Sequence, residues 1–222
     1  MIRILIIDDA IEPEFVGQLR DEVEGSMQAK VQTEHINPTA FFKGGNQKLE
    51  IDALLDTVAK KATEFWDAAL IDLNLAEVGL GKKERLNLSL VIADRYREVN
   101  KSSFVILYSG TLSDYVKDLL QDPQGTEQTL KRIFRTDVAA FSRRDGVRLQ
   151  VIASLSTPSF LLTLDRALVG DAAFKVSHAE AEFSGMTFGQ LATSVRCQDK
   201  LGVRLTSLVA QHGLAAIVDL AK

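Results

Sequence analysis

The chain has 222 residues, of which 46% are hydrophobic and 25% are charged, and its formal net charge is −4. A chain of this length and composition can bury a core of its own, which excludes a largely disordered protein. The negative net charge and a sequence pI of about 5.5 argue against the broad basic surface that nonspecific binding of nucleic acid requires.

Cysteine usage and hydropathy indicate a reducing compartment. Cys197 is the single cysteine, so the chain forms no internal disulfide and offers no thiolate cluster for zinc. The apolar run at residues 2–7 is shorter than the apolar region of a signal peptide. Every other apolar run falls short of the roughly 20 residues of a membrane span. We therefore expect a cytoplasmic protein without a membrane segment.

Three short apolar runs have the length and composition of buried strands. They are IRILII at 2–7, WDAALID at 66–72 and SSFVILYS at 102–109. Continuous rather than alternating hydrophobicity is typical of parallel strands that are covered on both faces. Residues 27–35 and 138–144 are weaker candidates of the same kind. The sequence therefore predicts five strands.

Segments with helical spacing alternate with these strands. They begin at Pro13, which suits a first helical turn, and continue at 49–65, at 85–99, at 112–120 and from about Gly146. Alternation of strand and helix predicts right-handed crossovers. We expect an α/β domain with a doubly wound, five-stranded parallel sheet over residues 1–150. An irregular excursion at 37–48 lengthens it, and so does a looser stretch at 121–137 that contains a Pro and a Gly and then a short helical stretch.

The strand signals end after residue 156, and the remaining segments have helical spacing. We expect a small all-helical C-terminal region over residues 151–222. The predicted breaks between its helices are Gly170, Gly185, Gly202 and Gly213. The stretch at 187–202 weakly resembles a helix-turn-helix, but this region has no net basic charge, which argues against reading of DNA.

Acidic residues follow or end two of the predicted strands. Asp8 and Asp9 follow the first strand, and Asp72 ends the third. The carboxyl ends of parallel strands meet at one edge of a sheet, so we expect the three carboxylates to converge. Close negative charges need a cation to relieve them, and Mg²⁺ is the usual hard divalent ion. The alternative is that the pair only caps the following helix.

A hydroxyl and a cation fall at the same predicted edge. Ser109 ends the fourth strand and is followed by Gly110, whereas Arg143 and Arg144 end the fifth. An acid pair, a third acid, a hydroxyl and a cation at successive strand ends predict a site for a phosphoryl group.

Taken together, the stretches ILIIDDA, ALIDLNL, VILYSGT and, more loosely, VAAFSRRD resemble the receiver domains of two-component response regulators. The resemblance covers about residues 1–150 and implies the flavodoxin-like receiver fold. It implies a Mg²⁺-dependent phosphoacceptor and not an enzyme, with at most self-phosphorylation from small phosphodonors and autodephosphorylation. The implied partners are a sensor histidine kinase or phosphotransfer protein and a downstream protein target, with a homodimer as a further option.

The resemblance also implies metal-binding and acceptor roles. Asp72 resembles the phosphoacceptor, which also contributes to the metal site. Asp8 and Asp9 resemble the metal-binding acid pair, with Asp9 as the direct ligand and Asp8 acting mostly through water. Asn74 resembles the position whose backbone carbonyl completes the coordination.

The resemblance also implies roles for residues at the ends of the fourth and fifth strands, and it includes two departures from the family pattern. Ser109 resembles the hydroxyl that bonds a phosphoryl oxygen, and Phe141 resembles the switch aromatic. Arg144 falls at the lysine of the family, with Arg143 as the fallback, so an arginine replaces that lysine and cannot act as the same compact ammonium. Ala76 stands near the usual proline.

Three other functions are weighed against this one. The chain could be a phosphorylation-independent pseudo-receiver that serves as an interaction module, or a transcriptional regulator with an unusual helical reader. An acid-cluster phosphohydrolase would need a second acid soon after Asp72, and Leu73 and Asn74 supply none. In the leading hypothesis the helical C-terminal region passes the state of the receiver to a protein partner.

Overall fold

A computed structural model describes the chain in two units. The first comprises Met1–Glu98 and Ser103–Thr157, and the second comprises Val99–Ser102 and Pro158–Lys222. The described residues are 1–43, 48–75, 80–110, 123–157, 159–170, 172–173, 175 and 182–220. The predicted helix at 112–120 and Ala76 lie outside them.

Five parallel strands form the sheet of the first unit, in the spatial order Val31–Ile36, Ile2–Ile7, Ala68–Asp72, Phe104–Ser109 and Ala140–Arg143. The strands in chain order are β1 (Ile2–Ile7), β2 (Val31–Ile36), β3 (Phe42–Lys43), β4 (Lys48–Leu49), β5 (Ala68–Asp72), β6 (Phe104–Ser109) and β7 (Ala140–Arg143). The short strands β3 and β4 pair with each other in an antiparallel ribbon, within the stretch that was predicted to be irregular. The predicted doubly wound, flavodoxin-like sheet is confirmed.

Helices alternate with these strands. Those that begin in the first unit are α1 (Pro13–Met27), α2 (Ile51–Ala62), α3 (Lys82–Val99), α4 (Pro123–Thr136) and α5 (Val147–Ser156), with a 3-10 turn at Pro38–Phe41. The predicted strand at 27–35 begins too early, because α1 continues to Met27 and Gln28 ends it in a left-handed conformation. The predicted boundary at residue 150 falls inside α5, which the first unit contains whole.

The first strand is buried on both of its faces. Ile2, Ile4 and Ile6 pack in one core cluster with residues of α1 and α5. Leu5 and Ile7 point to the opposite face because side chains alternate along a strand, and they are also fully buried. The residues that α1 and α5 contribute to the cluster are Phe15, Leu19, Val23, Val147 and Val151. Burial on both faces explains why the run is apolar without alternation.

A buried arginine connects the end of α3 to two loops of the first unit. Arg97 donates hydrogen bonds to three backbone carbonyls, those of Ser103 at 2.6 Å, Asp137 at 2.9 Å and Thr136 at 3.1 Å. Arg97 is only 6% exposed to solvent. The guanidinium therefore satisfies one carbonyl just before β6 and two at the C-terminal end of α4.

The second unit is helical in its described part, with α6 (Phe160–Gly170), α7 (Phe188–Cys197) and α8 (Lys200–Leu220). This confirms the predicted helical region. Its core cluster contains Leu168, Phe183, Leu191, Ala192 and Val195. A buried ion pair supplements it: Arg196 donates to Asp165 at 2.9 and 3.0 Å, and Ser102 donates to the same carboxylate at 2.7 Å.

Two of the predicted helix breaks are wrong, because Gly202 and Gly213 both lie within α8. A Cβ atom at Gly202 would lie 1.9 Å from the backbone oxygen of Ser194. Glycine is therefore required there for the close approach of α7 and α8, and not for a turn. Among the described helices, none alone is long and apolar enough to cross a membrane.

Candidate metal and phosphoryl site

Three aspartates meet at the carboxyl edge of the sheet. Asp8 and Asp9 follow β1, and Asp72 ends β5, which pairs directly with β1. One carboxylate oxygen from each of the three lies within 4.8 Å of the others. All three residues are buried, with exposed fractions of 0%, 6% and 7%. The predicted convergence of the carboxylates is confirmed, and the cluster could bind a metal ion.

Asp8 is held by contacts on both carboxylate oxygens. Its Oδ1 accepts a hydrogen bond of 2.7 Å from the backbone N–H of Ala10, and its Oδ2 accepts one of 2.5 Å from the Tyr108 hydroxyl. Arg144 Nη2 lies 3.7 Å from Oδ2. His35 Nε2 lies 2.6 Å from the backbone oxygen of Asp8. Asp8 therefore closes a turn and holds a defined orientation.

The capping alternative is wrong for Asp8. Helix α1 begins at Pro13, and its N-cap is Glu12, whose side chain makes no capping hydrogen bond. The turn that Asp8 closes over Ala10 ends before this cap. The carboxylate is thus directed into the cluster and not to the helix terminus.

The pKa of Asp72 is raised from its ordinary value of 3.8 to about 7. Burial is the main cause, because it disfavours the charged form, and repulsion from Asp8 and Asp9 adds to it. A hydrogen bond of 3.0 Å from the backbone N–H of Asn74 and the nearby charge of Arg144 act in the opposite direction. Asp72 in the metal-free protein is therefore a carboxyl group that titrates near neutrality.

Backbone contacts hold the end of β5 in place. The Ser89 hydroxyl, buried on α3, donates to the backbone oxygen of Asp72 at 2.7 Å. The N–H of Leu73 donates to the backbone oxygen of Tyr108 at 2.8 Å. Sequence reasoning missed Ser89, although a serine among the apolar residues of LSLVIA is a signal that a helix carries a buried polar contact.

Arg143 is the last residue of β7 and Arg144 follows it, and the two arginines have different surroundings. Arg144 donates to the backbone oxygen of Ala10 at 3.1 Å, and its Cζ lies 5.1 Å from the centre of the Phe15 ring. The side chain of Arg143 is 69% exposed and lies 3.3 Å from Asp145. Of the two candidates for the family's lysine position, Arg144 is the one that the fold brings to the acids.

Ser109 and Phe141 occupy strand positions near this edge. Ser109 is the last residue of β6 and is buried, and its backbone oxygen accepts a hydrogen bond of 3.1 Å from the N–H of Arg144. Phe141 lies on β7 opposite Leu107 and is 37% exposed. Ser109 therefore belongs to the strand end beside Asp72, whereas Phe141 lies two residues before the end of its strand.

Sequence reasoning also missed Tyr108 and Phe15. Their rings stack with centroids 5.8 Å apart and an angle of 19° between the planes. Burial raises the pKa of the Tyr108 hydroxyl well above its ordinary value, and the adjacent Asp8 carboxylate adds to this shift. The sequence offered one indication of a role for Tyr108, because it is a lone hydroxyl-bearing aromatic residue in the apolar run FVILYS.

The chemistry of the donors indicates the kind of ion that the cluster suits. Carboxylate oxygens are ligands for hard divalent cations. A cation among the three acids would also relieve the repulsion that raises the pKa of Asp72. The residues present therefore fit a metal site of the oxygen-ligand type.

The sheet order and the buried acidic cluster fit a receiver domain. No protein-family model and no curated protein matches the sequence significantly. The chain is similar to a solved structure of a mutant of RitR, with a TM-score of 0.38 and 12% sequence identity over 90% of this chain and 74% of that one. Similarity at this level carries no functional inference.

Proposed function

We propose that the chain is a response-regulator-like signalling protein whose first unit accepts a phosphoryl group on Asp72. The supporting observation is the buried cluster of Asp8, Asp9 and Asp72 at the ends of neighbouring parallel strands, with Ser109 at the end of the next strand. An acid cluster of this kind is costly for folding, so its presence beside a buried hydroxyl favours a functional site.

The groups that would hold the metal are the carboxylates of Asp8, Asp9 and Asp72 and the backbone carbonyl of Asn74. We propose Mg²⁺, because it accepts one or two carboxylates and retains several waters. When bound, the ion would offset negative charge on the phosphoryl oxygens.

The chain's own residues would perform the transfer. An ionised Asp72 oxygen attacks the phosphorus of a phosphohistidine or a small phosphodonor, the bond from phosphorus to the donor breaks, and an acyl phosphate forms. The Ser109 hydroxyl donates to a phosphoryl oxygen, and Arg144 contributes positive charge. Burial keeps water from the carboxylate, which favours a phosphoryl group that persists as a signal.

The modification would act as a switch. A phosphoryl group adds charge and acceptor oxygens at the strand ends, which biases a two-state equilibrium of the surrounding loops. We propose that the helical second unit passes this change to a downstream protein, and that a sensor histidine kinase or phosphotransfer protein supplies the phosphoryl group.

The direct test is labelling with acetyl phosphate and Mg²⁺, read by intact mass. The wild type should gain the mass of one phosphoryl group, and Asp72→Asn should not. Asp56→Asn is the matched control, because Asp56 is an exposed acid on α2 with a side chain 79% exposed, and it should label like the wild type. Labelling of Asp72→Asn, or an unlabelled wild type that binds Mg²⁺, would contradict the proposal.

A second candidate, the phosphorylation-independent pseudo-receiver, is favoured by one observation. Arg144 already contacts Asp8 and the Ala10 carbonyl, so part of the negative charge is balanced without any phosphoryl group. Beryllofluoride, a phosphoryl mimic, separates the two candidates. With Mg²⁺ it should change the NMR spectrum or the oligomeric state of a receiver and leave a pseudo-receiver unchanged.

A further inference from the structure

Tyr108 is a polar residue at the buried end of an apolar strand. Its side chain is fully buried in β6, among the residues of the core cluster that includes Ile106. A phenol hydroxyl in such surroundings needs a hydrogen-bond partner, because burying it without one is costly. Its partner is Asp8 Oδ2 at 2.5 Å, a residue 100 positions earlier in the chain.

Two neighbours constrain the orientation of Tyr108. Phe15 stacks on its ring at 5.8 Å, and the Arg144 guanidinium lies over Phe15 at 5.1 Å. Arg144 also reaches the same oxygen of Asp8 at 3.7 Å. Removal of the Tyr108 hydroxyl alone would therefore leave the packing of its ring in place and would free only the Asp8 carboxylate from its hydrogen bond.

The contacts of Asp8 leave it little freedom. One oxygen is held by the Ala10 N–H and the other by the Tyr108 hydroxyl. We propose that Tyr108 is a positioning residue for the acid cluster, which acts through Asp8 to set the affinity for a divalent cation. The inference rests on the proposed function in one respect, namely that the cluster binds such a cation.

The test is the affinity for Mg²⁺ alone, measured by isothermal titration calorimetry. Partners that orient metal ligands typically contribute about 10- to 100-fold to metal affinity, and we expect Tyr108→Phe to weaken binding by about this factor. Tyr96→Phe is the matched control: Tyr96 is equally buried, its hydroxyl lies 2.7 Å from Ser103 Oγ, and its loss should leave the affinity unchanged.

A double-mutant cycle distinguishes positioning from a general structural role. If Tyr108 acts through Asp8, then Tyr108→Phe should weaken binding no further in a chain that already carries Asp8→Asn. An equal additional loss in that background would overturn the proposal. So would an unchanged affinity of Tyr108→Phe in a wild type that binds Mg²⁺.

A spectroscopic measurement on variants that keep Tyr108 covers the case in which Tyr108→Phe does not fold. Titration with Mg²⁺ should produce a tyrosine ultraviolet difference spectrum in the wild type and in Tyr96→Phe, and Asp8→Asn should abolish it. A wild type that binds Mg²⁺ without this spectrum would overturn the role of Tyr108. A wild type that does not bind Mg²⁺ would instead overturn the proposed function, and the role of Tyr108 with it.

Discussion

Arg144 Nη2 lies 3.7 Å from Asp8 Oδ2 and donates to the backbone oxygen of Ala10 at 3.1 Å. The guanidinium therefore contacts the loop that carries the acid pair. A cation in this position offsets part of the negative charge of the cluster, and it also lowers the pKa of Asp72 relative to burial alone. Under the proposed function, Arg144 would compete with a divalent ion for the acids and would assist a phosphoryl group.

The first prediction follows from this competition. Arg144→Ala should bind Mg²⁺ about three- to tenfold more tightly, because the nearest fixed positive charge is removed, and it should be labelled more slowly by acetyl phosphate. Calorimetry and intact mass measure the two effects. Arg143→Ala is the control, since its exposed side chain pairs with Asp145. Equal behaviour of the two variants would contradict the assigned position of Arg144.

The second prediction concerns pH and the stability of the metal-free protein. The pKa of Asp72 is raised on folding from 3.8 to about 7, so between these values the folded state binds more protons than the unfolded state. The free energy of unfolding therefore falls as pH rises through this window and levels off above it. As the pH rises from about 5 to about 8, ionisation of Asp72 should lower the free energy of unfolding by about 2 to 3 kcal/mol.

Urea unfolding in the presence of a chelator measures this contribution. The wild type minus Asp72→Asn difference reports Asp72 together with its electrostatic coupling to Asp8 and Asp9, because groups elsewhere titrate alike in both chains. As pH rises, the free energy of unfolding of the wild type should fall relative to that of Asp72→Asn. Parallel pH profiles of the two proteins would show that Asp72 ionises without the cost of burial.

The third prediction concerns Arg97. Arg97→Met removes the donor to three backbone carbonyls in a buried place, and should lower the free energy of unfolding of the first unit by about 3 to 5 kcal/mol. Arg95→Met is the control on the same helix, because the Arg95 side chain is 40% exposed; its effect should stay within about 0.5 kcal/mol. Urea unfolding compares them, and a similar loss for both would refute a special role for Arg97.

The fourth prediction concerns the ion pair of the second unit. Asp165→Asn leaves the Arg196 charge buried and unbalanced and should cost about 3 to 5 kcal/mol. The double variant Asp165→Leu with Arg196→Met should be more stable than Asp165→Asn, since neither charge then remains. Thermal unfolding followed by circular dichroism ranks the variants. Arg204→Met is the control, because its pair with Glu182 is exposed, and it should change the thermal stability little. A double variant less stable than Asp165→Asn would contradict this prediction.

The strands were predictable where burial imposes a simple pattern. Ile2–Ile7, Ala68–Asp72 and Phe104–Ser109 are central strands, so both faces are apolar and the run is continuous. Val31–Ile36 is an edge strand with exposed positions, and its predicted bounds were shifted toward α1. Edge strands have fewer buried positions, so their hydrophobic pattern is weaker and their bounds are harder to predict from the sequence.

The acids of the site were predictable from topology, but their partners were not. Asp8, Asp9 and Asp72 converge because parallel strands end at the same edge. Tyr108 contacts Asp8 across 100 residues, and Ser89 supports the end of β5 from α3. Such contacts depend on strand register and helix packing, which a local pattern does not encode.

By itself, the sequence determined the alternation of strands and helices, the helical C-terminal part and the meeting of three carboxylates. Burial leaves a hydrophobic pattern along the chain, and parallel strands all end at the same edge of the sheet. Only the tertiary structure decided that Arg144 rather than Arg143 reaches the acids, that the Tyr108 hydroxyl bonds Asp8, and that Gly202 permits a close helix contact. These outcomes depend on distances between distant segments, which are set only when the whole chain packs.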